Sequence, residues 1–437
     1  MKLFAVTGRP VFHSMSPQIF NSLFRLYNMD ASYIRLAATT VEEVLSITKA
    51  LRIKGLNITS PFKEDIIPFL DRLHDDALRI GAVNCVVVKE GKYIGYNTDS
   101  IGAVKALKKN NINPENKNIA VLGAGGAARA AVFGMIKAHA RKVTIINRTK
   151  KRAKDLASLM GCEYSPLELF KEVIPKSDVL ISCIPCPLFV CDQDSFSKHL
   201  VVLDANYKNP LQTGHSKTQK HRIISGLEWL FYQAVPAFQY FTGRKINEGV
   251  QQKVKRGLQK SQISDKPNVA LVGFMGSGKT AVGRLLADKT GFEFVDTDAL
   301  IENLSGRKIN QIFQEKGEEV FREMERTVIK AEIPSYRRKV VSIGGGAVLD
   351  PENRKILNHN CHIIWLWNSI RTALKRIHAE SRPLLNYPNP TKRAEKNLNE
   401  RIPFYAELSD IVISTESGEP GDIVERIKNE MGQAFKN

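Results

Sequence analysis

Two glycine-rich turns, each directly behind a short apolar strand, constrain this chain more than any other feature. Gly123-Ala124-Gly125-Gly126-Ala127-Ala128 follows Ile119-Ala120-Val121-Leu122, and Gly273-Phe274-Met275-Gly276-Ser277-Gly278-Lys279-Thr280 follows a run that begins at Val269. A strand, a glycine turn and a helix in that order aim backbone N–H groups at phosphate oxygens. The first turn fits a dinucleotide fingerprint, in which glycines let the backbone approach a pyrophosphate. The second is a complete P-loop, whose Lys279 reaches terminal phosphates and whose Thr280 hydroxyl reaches Mg²⁺. One chain is therefore expected to serve two nucleotide chemistries, a redox reaction and a phosphoryl transfer.

At 437 residues the chain exceeds one ordinary core, and two or three domains are expected. Apolar content of 43% and charged content of 25% are those of a globular protein, with no apolar run of bilayer length, so no membrane partner is expected. The N-terminus opens on a strand-like segment, Lys2 to Val6, rather than an apolar signal or an Arg/Ser-rich leader. Six cysteines form no disulfide framework, and with that start they point to the cytoplasm. The net charge of +19 is uneven: residues 1–266 hold 39 Lys and Arg against 22 Asp and Glu, and the remainder 25 against 23. Without interleaved aromatics or a nucleic-acid motif, the basic half is read as a field for anionic small molecules or a solvated lysine-rich surface.

An α/β pattern runs through residues 1–100, with apolar runs at Phe4 to Val6, Ser32 to Leu36, Gly55 to Ile58 and Ala82 to Val88. A helix then leads into Ile119–Leu122, the first glycine turn, a helix from Ala127 to about Ala138 and a strand Val143 to Ile146. That order is the context a dinucleotide fingerprint requires. Further strands are predicted at Val179 to Ser182 and Val201 to Leu203, and an aromatic-rich helix from Gly226 to Phe241. The polar stretch Gln251 to Asn268 marks the main boundary, after which a second α/β pattern ends in a strand Ile411 to Ser414 and an amphipathic helix from about Gly421.

The residues behind the second dinucleotide strand are Asn147-Arg148-Thr149, followed by Lys150-Lys151-Arg152. NAD sites usually offer a carboxylate here, whereas NADP needs a cation for its 2′-phosphate; with no acid present, NADP(H) is expected. Upstream, polar groups recur at loop positions: Gly8 to Pro17, Asn57-Ile58-Thr59-Ser60-Pro61-Phe62-Lys63, Gly81-Ala82-Val83-Asn84 and Asn97-Thr98-Asp99. With Asp204 to Pro210 and Gly226 to Ala234, this series resembles shikimate dehydrogenase over nearly all of residues 1–260. The resemblance implies that Ser14, Ser16, Asn57, Thr59, Asn84 and Gln233 bind the hydroxyls and carboxylate of shikimate, with Tyr207 nearby. It makes Lys63 and Asp99 the catalytic pair, and assigns Gly123, Gly125, Gly126, Ala127, Asn147, Arg148 and Thr149 to the cofactor. Hydride delivered to a ketone develops an alkoxide, which an ammonium stabilises and protonates while a carboxylate orients it. The chain departs from the family at Ser182-Cys183-Ile184-Pro185-Cys186-Pro187 and at Cys85. Cys183, Cys186 and Cys191 lack a clear fourth ligand for zinc and are read as loop cysteines packed near the cofactor.

The P-loop half carries Val295-Asp296-Thr297-Asp298, Gly317-Glu318-Glu319-Val320-Phe321-Arg322, Gly344-Gly345-Gly346, Arg382-Pro383-Leu384-Leu385 and Arg401-Ile402-Pro403-Phe404-Tyr405. Together these resemble shikimate kinase over almost all of residues 268–437. Carried across, Gly276, Gly278, Lys279 and Thr280 hold the ATP phosphates, Thr280 and Asp296 support Mg²⁺, and Asp298 orients the accepting hydroxyl. Arg322 and Arg401 would clamp the substrate carboxylate, for which a planar guanidinium is shaped. Gly344, Gly345 and Gly346 would approach the ring, Arg376 the adenine, and Arg382 lies in a segment, Ala379 to Lys396, read as a lid over ATP.

The two families catalyse consecutive steps toward the aromatic amino acids, so the resemblance implies reduction of 3-dehydroshikimate followed by phosphorylation of shikimate. The expected organisation is a catalytic lobe of 1–100 completed by 233–260, a Rossmann domain at 101–232, a linker at 261–267 and a parallel-sheet kinase domain at 268–437. Quinate with NAD is the rival in the first half, opposed by Arg148; an inactive sensing module is the rival in either. No nucleic-acid partner is expected, and an oligomer stays open. A tether also raises the effective concentration of one site near the other without aiming the two.

Overall fold

Strand assignment follows from the apolar runs, and the parallel pairing of most of them follows from the helices between them. A computed structural model describes residues 1–184, 199–207, 222–260, 266–376, 389–432 and 435. The chain forms two units, one of Met1–Pro17, Phe24–Ile53 and Lys260–Asn437, the other of Gln18–Leu23 and Lys54–Gln259.

In the first unit, strands lie in the order Glu293–Asp296, Lys339–Ser342, Asn268–Val272, Cys361–Trp367, Ile411–Ser414, Ala31–Ala37 and Lys2–Gly8. Every pairing in this series is parallel. All seven residues of Cys361–Trp367 are buried, as a strand covered on both faces requires. Each large aliphatic side chain buried in this way contributes about 1.5–3 kcal/mol. The P-loop helix Lys279–Thr290 joins Asn268–Val272 to Glu293–Asp296, and Tyr405 of the helix Pro390–Leu408 stacks on Trp365, ring centroids 5.4 Å apart. Val412 pairs with Leu36 and Ile413 with Ala37, so a strand of the P-loop sheet continues directly into strands from the N-terminus of the chain.

The second unit contains a six-stranded parallel sheet in the order Arg222–Ile224, Val201–Asp204, Val179–Ser182, Asn118–Leu122, Lys142–Asn147 and Glu163–Pro166. Numbered from Asn118–Leu122, that is the doubly wound order 3-2-1-4-5-6 read from its far edge, with the glycine turn at the carboxyl end of the first strand. The unit also contains Gly55–Ile58, Cys85–Lys89, Lys92–Tyr96 and Arg72–Leu73 in that order, the first two pairings antiparallel and the last parallel. The run expected as a strand from Ala82 enters strand geometry only at Cys85. Val83, the residue before Asn84, lies outside the ladder, its N–H taken by the Lys63 carbonyl at 2.8 Å, while the Asn84 main chain pairs with the Tyr96 carbonyl at 3.1 Å and the Ile58 N–H at 2.9 Å.

The sequence placed a lid over Ala379 to Lys396. Its C-terminal part forms the first turns of Pro390–Leu408, started by Asn389 capping Lys392 N–H at 3.1 Å and by a proline in the first turn. The remainder, including Arg382, lies outside the described residues, as do Cys186, Cys191 and most of the expected linker.

Candidate functional site

In the second unit, Lys63 sits on the short helix Phe62–Asp65 and Asp99 begins the helix Asp99–Lys109. Lys63 Nζ donates to Asp99 Oδ2 at 2.5 Å, and the two side chains are only 13% and 11% exposed. Burial at that level removes much of the solvent screening that makes surface pairs weak. Asp99 is held from both sides: its N–H reaches Asn97 Oδ1 at 3.0 Å and its carbonyl accepts Trp229 Nε1 at 2.9 Å. Gly126, at the start of the helix Gly126–Lys137, lies so close that an added Cβ would be 3.0 Å from Lys63 Cβ and Cδ. The ammonium-bearing side chain thus lies against the N-terminus of the dinucleotide helix.

An amide cluster stands in the same unit. Asn84 Nδ2 donates to Thr98 Oγ1 at 3.0 Å and to Gln233 Oε1 at 3.1 Å, and Asn84 Oδ1 accepts Thr98 N–H at 2.7 Å. Asn57 Nδ2 donates to the Asn84 carbonyl at 3.1 Å. Asn57, Asn84 and Gln233 are therefore brought together, along with Thr98, to which the sequence reading gave no role. Thr59 and Tyr207 are half-buried, the latter just behind the strand Val201–Asp204. Ser14 and Ser16 belong to the first unit, where both are buried and Ser14 Oγ lies 3.2 Å from Ser16 Oγ.

Asn147 ends its strand, and Arg148 and Thr149 are exposed beyond it. An added Cβ on Gly125 would meet nothing within 4 Å, so the turn is open on the side a pyrophosphate approaches. With no carboxylate in this stretch and an exposed guanidinium beside it, the residues fit a 2′-phosphorylated dinucleotide. An added Cβ on Gly123 would lie 3.4 Å from Cys183 Cβ. Burial raises the pKa of the Cys183 thiol well above that of a free cysteine, outweighing the pull of Lys63, which disfavours the thiolate form. The described cysteines are unpaired, and among the described residues no cluster of His, Cys, Asp and Glu has the makings of a metal site.

The first unit holds a cavity of about 340 Å³ lined by the P-loop, Asp296, Asp298, Arg322, Glu325, Gly344 to Gly346 and Arg401. Lys279 Nζ lies 3.0 Å from the Gly273 carbonyl, folded over its own loop, and Thr280 Oγ1 donates to Asp296 Oδ2 at 2.9 Å. A hydroxyl beside a carboxylate is the oxygen pair a hydrated Mg²⁺ would take. Asp296 also caps the next helix by accepting Asp298 N–H at 3.0 Å, which turns Asp298 toward the glycine run. An added Cβ on Gly344 would be 2.8 Å from Asp298 Oδ1 and 2.5 Å from Glu325 Oε1, and one on Gly346 2.3 Å from Arg322 Nη2. Only glycine admits this convergence. The Gly344 N–H is used internally, donating to Thr297 Oγ1 at 3.0 Å, while the Gly345 carbonyl accepts Arg401 Nη1 at 3.2 Å and Tyr405 Oη at 2.7 Å. Arg376 Nη2 donates to the Thr415 carbonyl at 2.6 Å, and its Nη1 lies 3.4 Å from the Gly276 carbonyl at the P-loop rim.

Glu325 received no role from the sequence, although it stands one helical turn after Arg322. It is 1% exposed, accepts Arg322 Nη1 at 2.8 Å through Oε2, and leaves Oε1 without a hydrogen bond inside the protein. Burial pushes its carboxyl up to about 7 despite the neighbouring Arg322. A group with that ionisation, lining the cavity, is the mark of a working site.

The described helices include none long and apolar enough to cross a membrane. Residues 6–86 match the shikimate dehydrogenase substrate binding domain, 105–204 the shikimate / quinate 5-dehydrogenase family and 275–432 shikimate kinase. Shikimate dehydrogenase (NADP(+)) of Aquifex aeolicus is 38% identical over 268 residues, spanning 59% of this chain and 97% of that protein. The Pyrococcus abyssi enzyme of the same name is 35% identical over 250 residues, spanning 56% and 93%. The crystal structure of the Aquifex enzyme superimposes with a TM-score of 0.54 at 37% identity, covering 59% of this chain and 98% of the other. Shikimate 5-dehydrogenase of Thermus thermophilus, solved with NADP(H) and shikimate, gives 0.52 at 32% identity, covering 59% and 100%. The paired Lys63 and Asp99 beside a dinucleotide turn, and the arginine-lined P-loop cavity, thus have their families: this chain belongs to the shikimate dehydrogenases and carries a shikimate kinase domain behind that portion.

Proposed function

We propose that the chain reduces 3-dehydroshikimate to shikimate and then phosphorylates shikimate at the C3 oxygen, using NADPH and ATP in turn. The buried Lys63–Asp99 pair against the dinucleotide helix carries the first assignment. The Gly123 to Ala127 turn would hold NADPH, with Arg148 and Thr149 at its 2′-phosphate, and the bound nucleotide would supply the hydride. Lys63 stabilises the oxygen on which charge develops and gives it a proton, while Asp99 keeps the ammonium oriented. Asn57, Thr59, Asn84, Gln233, Tyr207, Ser14 and Ser16 are assigned to the hydroxyls and carboxylate of the substrate.

In the kinase portion, Asp298 orients the accepting hydroxyl, and Arg322 and Arg401 take the substrate carboxylate. Lys279, swung from its loop carbonyls, meets the transferring phosphoryl group. Mg²⁺ would sit at Thr280 and Asp296 and offset charge on the phosphates, with Arg376 beside the base. Both steps are assigned to the cytoplasm, with the catalytic lobe, Rossmann domain and kinase domain divided as in the sequence reading. One reaction with 3-dehydroshikimate, NADPH, ATP and Mg²⁺ tests the proposal, following nicotinamide absorbance and resolving shikimate from its 3-phosphate. NADPH oxidation with phosphorylated product is expected; oxidation that stops at shikimate removes the kinase assignment, and none at all removes the first.

A further inference from the structure

The segment that carries Ser14 and Ser16 is held by residues of the kinase portion. Glu430, near the end of the helix Pro420–Met431, accepts two backbone N–H groups through Oε2: Val11 at 2.7 Å and Phe12 at 2.9 Å. Arg35, only 6% exposed, donates from Nε to the Ser14 carbonyl at 2.9 Å and from Nη1 to the Asp410 carbonyl at 3.0 Å. Phe12 is enclosed as well, with the His362 ring edge-on at 5.7 Å between centroids and the Arg35 guanidinium 5.9 Å from its ring centroid. All of these residues lie in the first unit. One carboxylate oxygen holding consecutive N–H groups fixes the path of a loop, and charge-assisted bonds of this kind are about twice as strong as neutral ones.

We propose that Glu430, from the kinase portion, is a positioning residue for the dehydrogenase reaction: it sets the Val11–Ser16 turn so that the Ser14 and Ser16 hydroxyls meet shikimate. This rests on the assignment of those serines to the substrate. The kinase portion thereby serves the first reaction as a scaffold as well as performing the second.

The test uses the full chain and measures shikimate oxidation with NADP⁺ and shikimate phosphorylation on the same preparations. In Glu430→Ala the dehydrogenase KM for shikimate is expected to rise about tenfold, the size of a lost charged acceptor, with kcat changed less than about twofold. The kinase constants should stay at the parent values, which also reports that the fold is intact. Glu430→Gln retains an acceptor oxygen and should recover most of the KM. An unchanged dehydrogenase KM in Glu430→Ala overturns the proposal, and so does a parallel fall of both activities with no recovery in Glu430→Gln. Ser14→Ala keeps the two questions apart. A raised KM there with no effect at Glu430 sinks only the positioning role, whereas no effect at Ser14 sinks the serine assignment and the proposal with it.

Discussion

Lys63 is the residue whose loss should separate the two chemistries. Lys63→Met keeps most of its volume against Gly126 but leaves the Asp99 carboxylate without its counter-charge and, in the proposed reaction, the developing alkoxide without a proton donor. Dehydrogenase kcat is expected to fall by about 10²–10⁴ with kinase rates unaltered, measured on one sample by absorbance and product separation. Glu325 makes a pH prediction. With its pKa raised to about 7, the carboxyl is neutral below that pH and anionic above it. Ionisation places a negative charge among Arg322 and Arg401 that competes with an anionic substrate, so the kinase KM for shikimate should rise as pH increases through about 7. Glu325→Gln should flatten that profile; a wild-type KM level from about pH 6 to 8 would exclude this role. Glu325 was legible in principle, three residues beyond a matched arginine on a helix, but helical spacing alone does not tell a buried carboxylate from a solvated one.

Among elements, the glycine turns are where sequence and structure meet most closely. Both stand behind the expected strands and open the expected helices, because backbone approach to phosphate demands residues without side chains at those positions. The Gly344 to Gly346 run carries a sharper constraint than phosphate binding. Gly346→Ala would push a methyl into the Arg322 guanidinium, and displacing the proposed substrate clamp by an ångström is expected to cost on the order of 10²-fold in kcat/KM. Steady-state kinase kinetics check this, with dehydrogenase activity as the unchanged reference. Sequence missed the beginning of Pro390–Leu408, since a stretch rich in Pro, Asn and charge reads as loop until Asn389 is seen capping it. It also missed what adjoins Ile411–Ser414. An apolar run shows that a strand is covered on both faces but not which strand lies at its edge.

At the scale of the whole chain, the joining of Ala31–Ala37 to Ile411–Ser414 is the feature least accessible to sequence reasoning, because its partners lie hundreds of residues apart. Arg426 reinforces it, donating to the Ala37 carbonyl at 3.2 Å, the Ser414 carbonyl at 3.2 Å and Glu43 Oε1 at 2.8 Å. A chain ended at residue 260 would lose the strand beside Ala31–Ala37 and the Glu430 contacts together. An uncovered parallel edge invites pairing with another molecule. Size-exclusion chromatography of that fragment should therefore show self-association absent from the full chain; a monodisperse fragment with parental dehydrogenase kinetics would count against the edge argument.

The same pairing imposes an order in time. A ribosome adds about 5–20 residues per second, so Leu36 waits roughly 20–75 s for Val412 to be made. The N-terminal strands must stay competent through that interval while the intervening chain folds, and the first unit closes only once Val412 has been made.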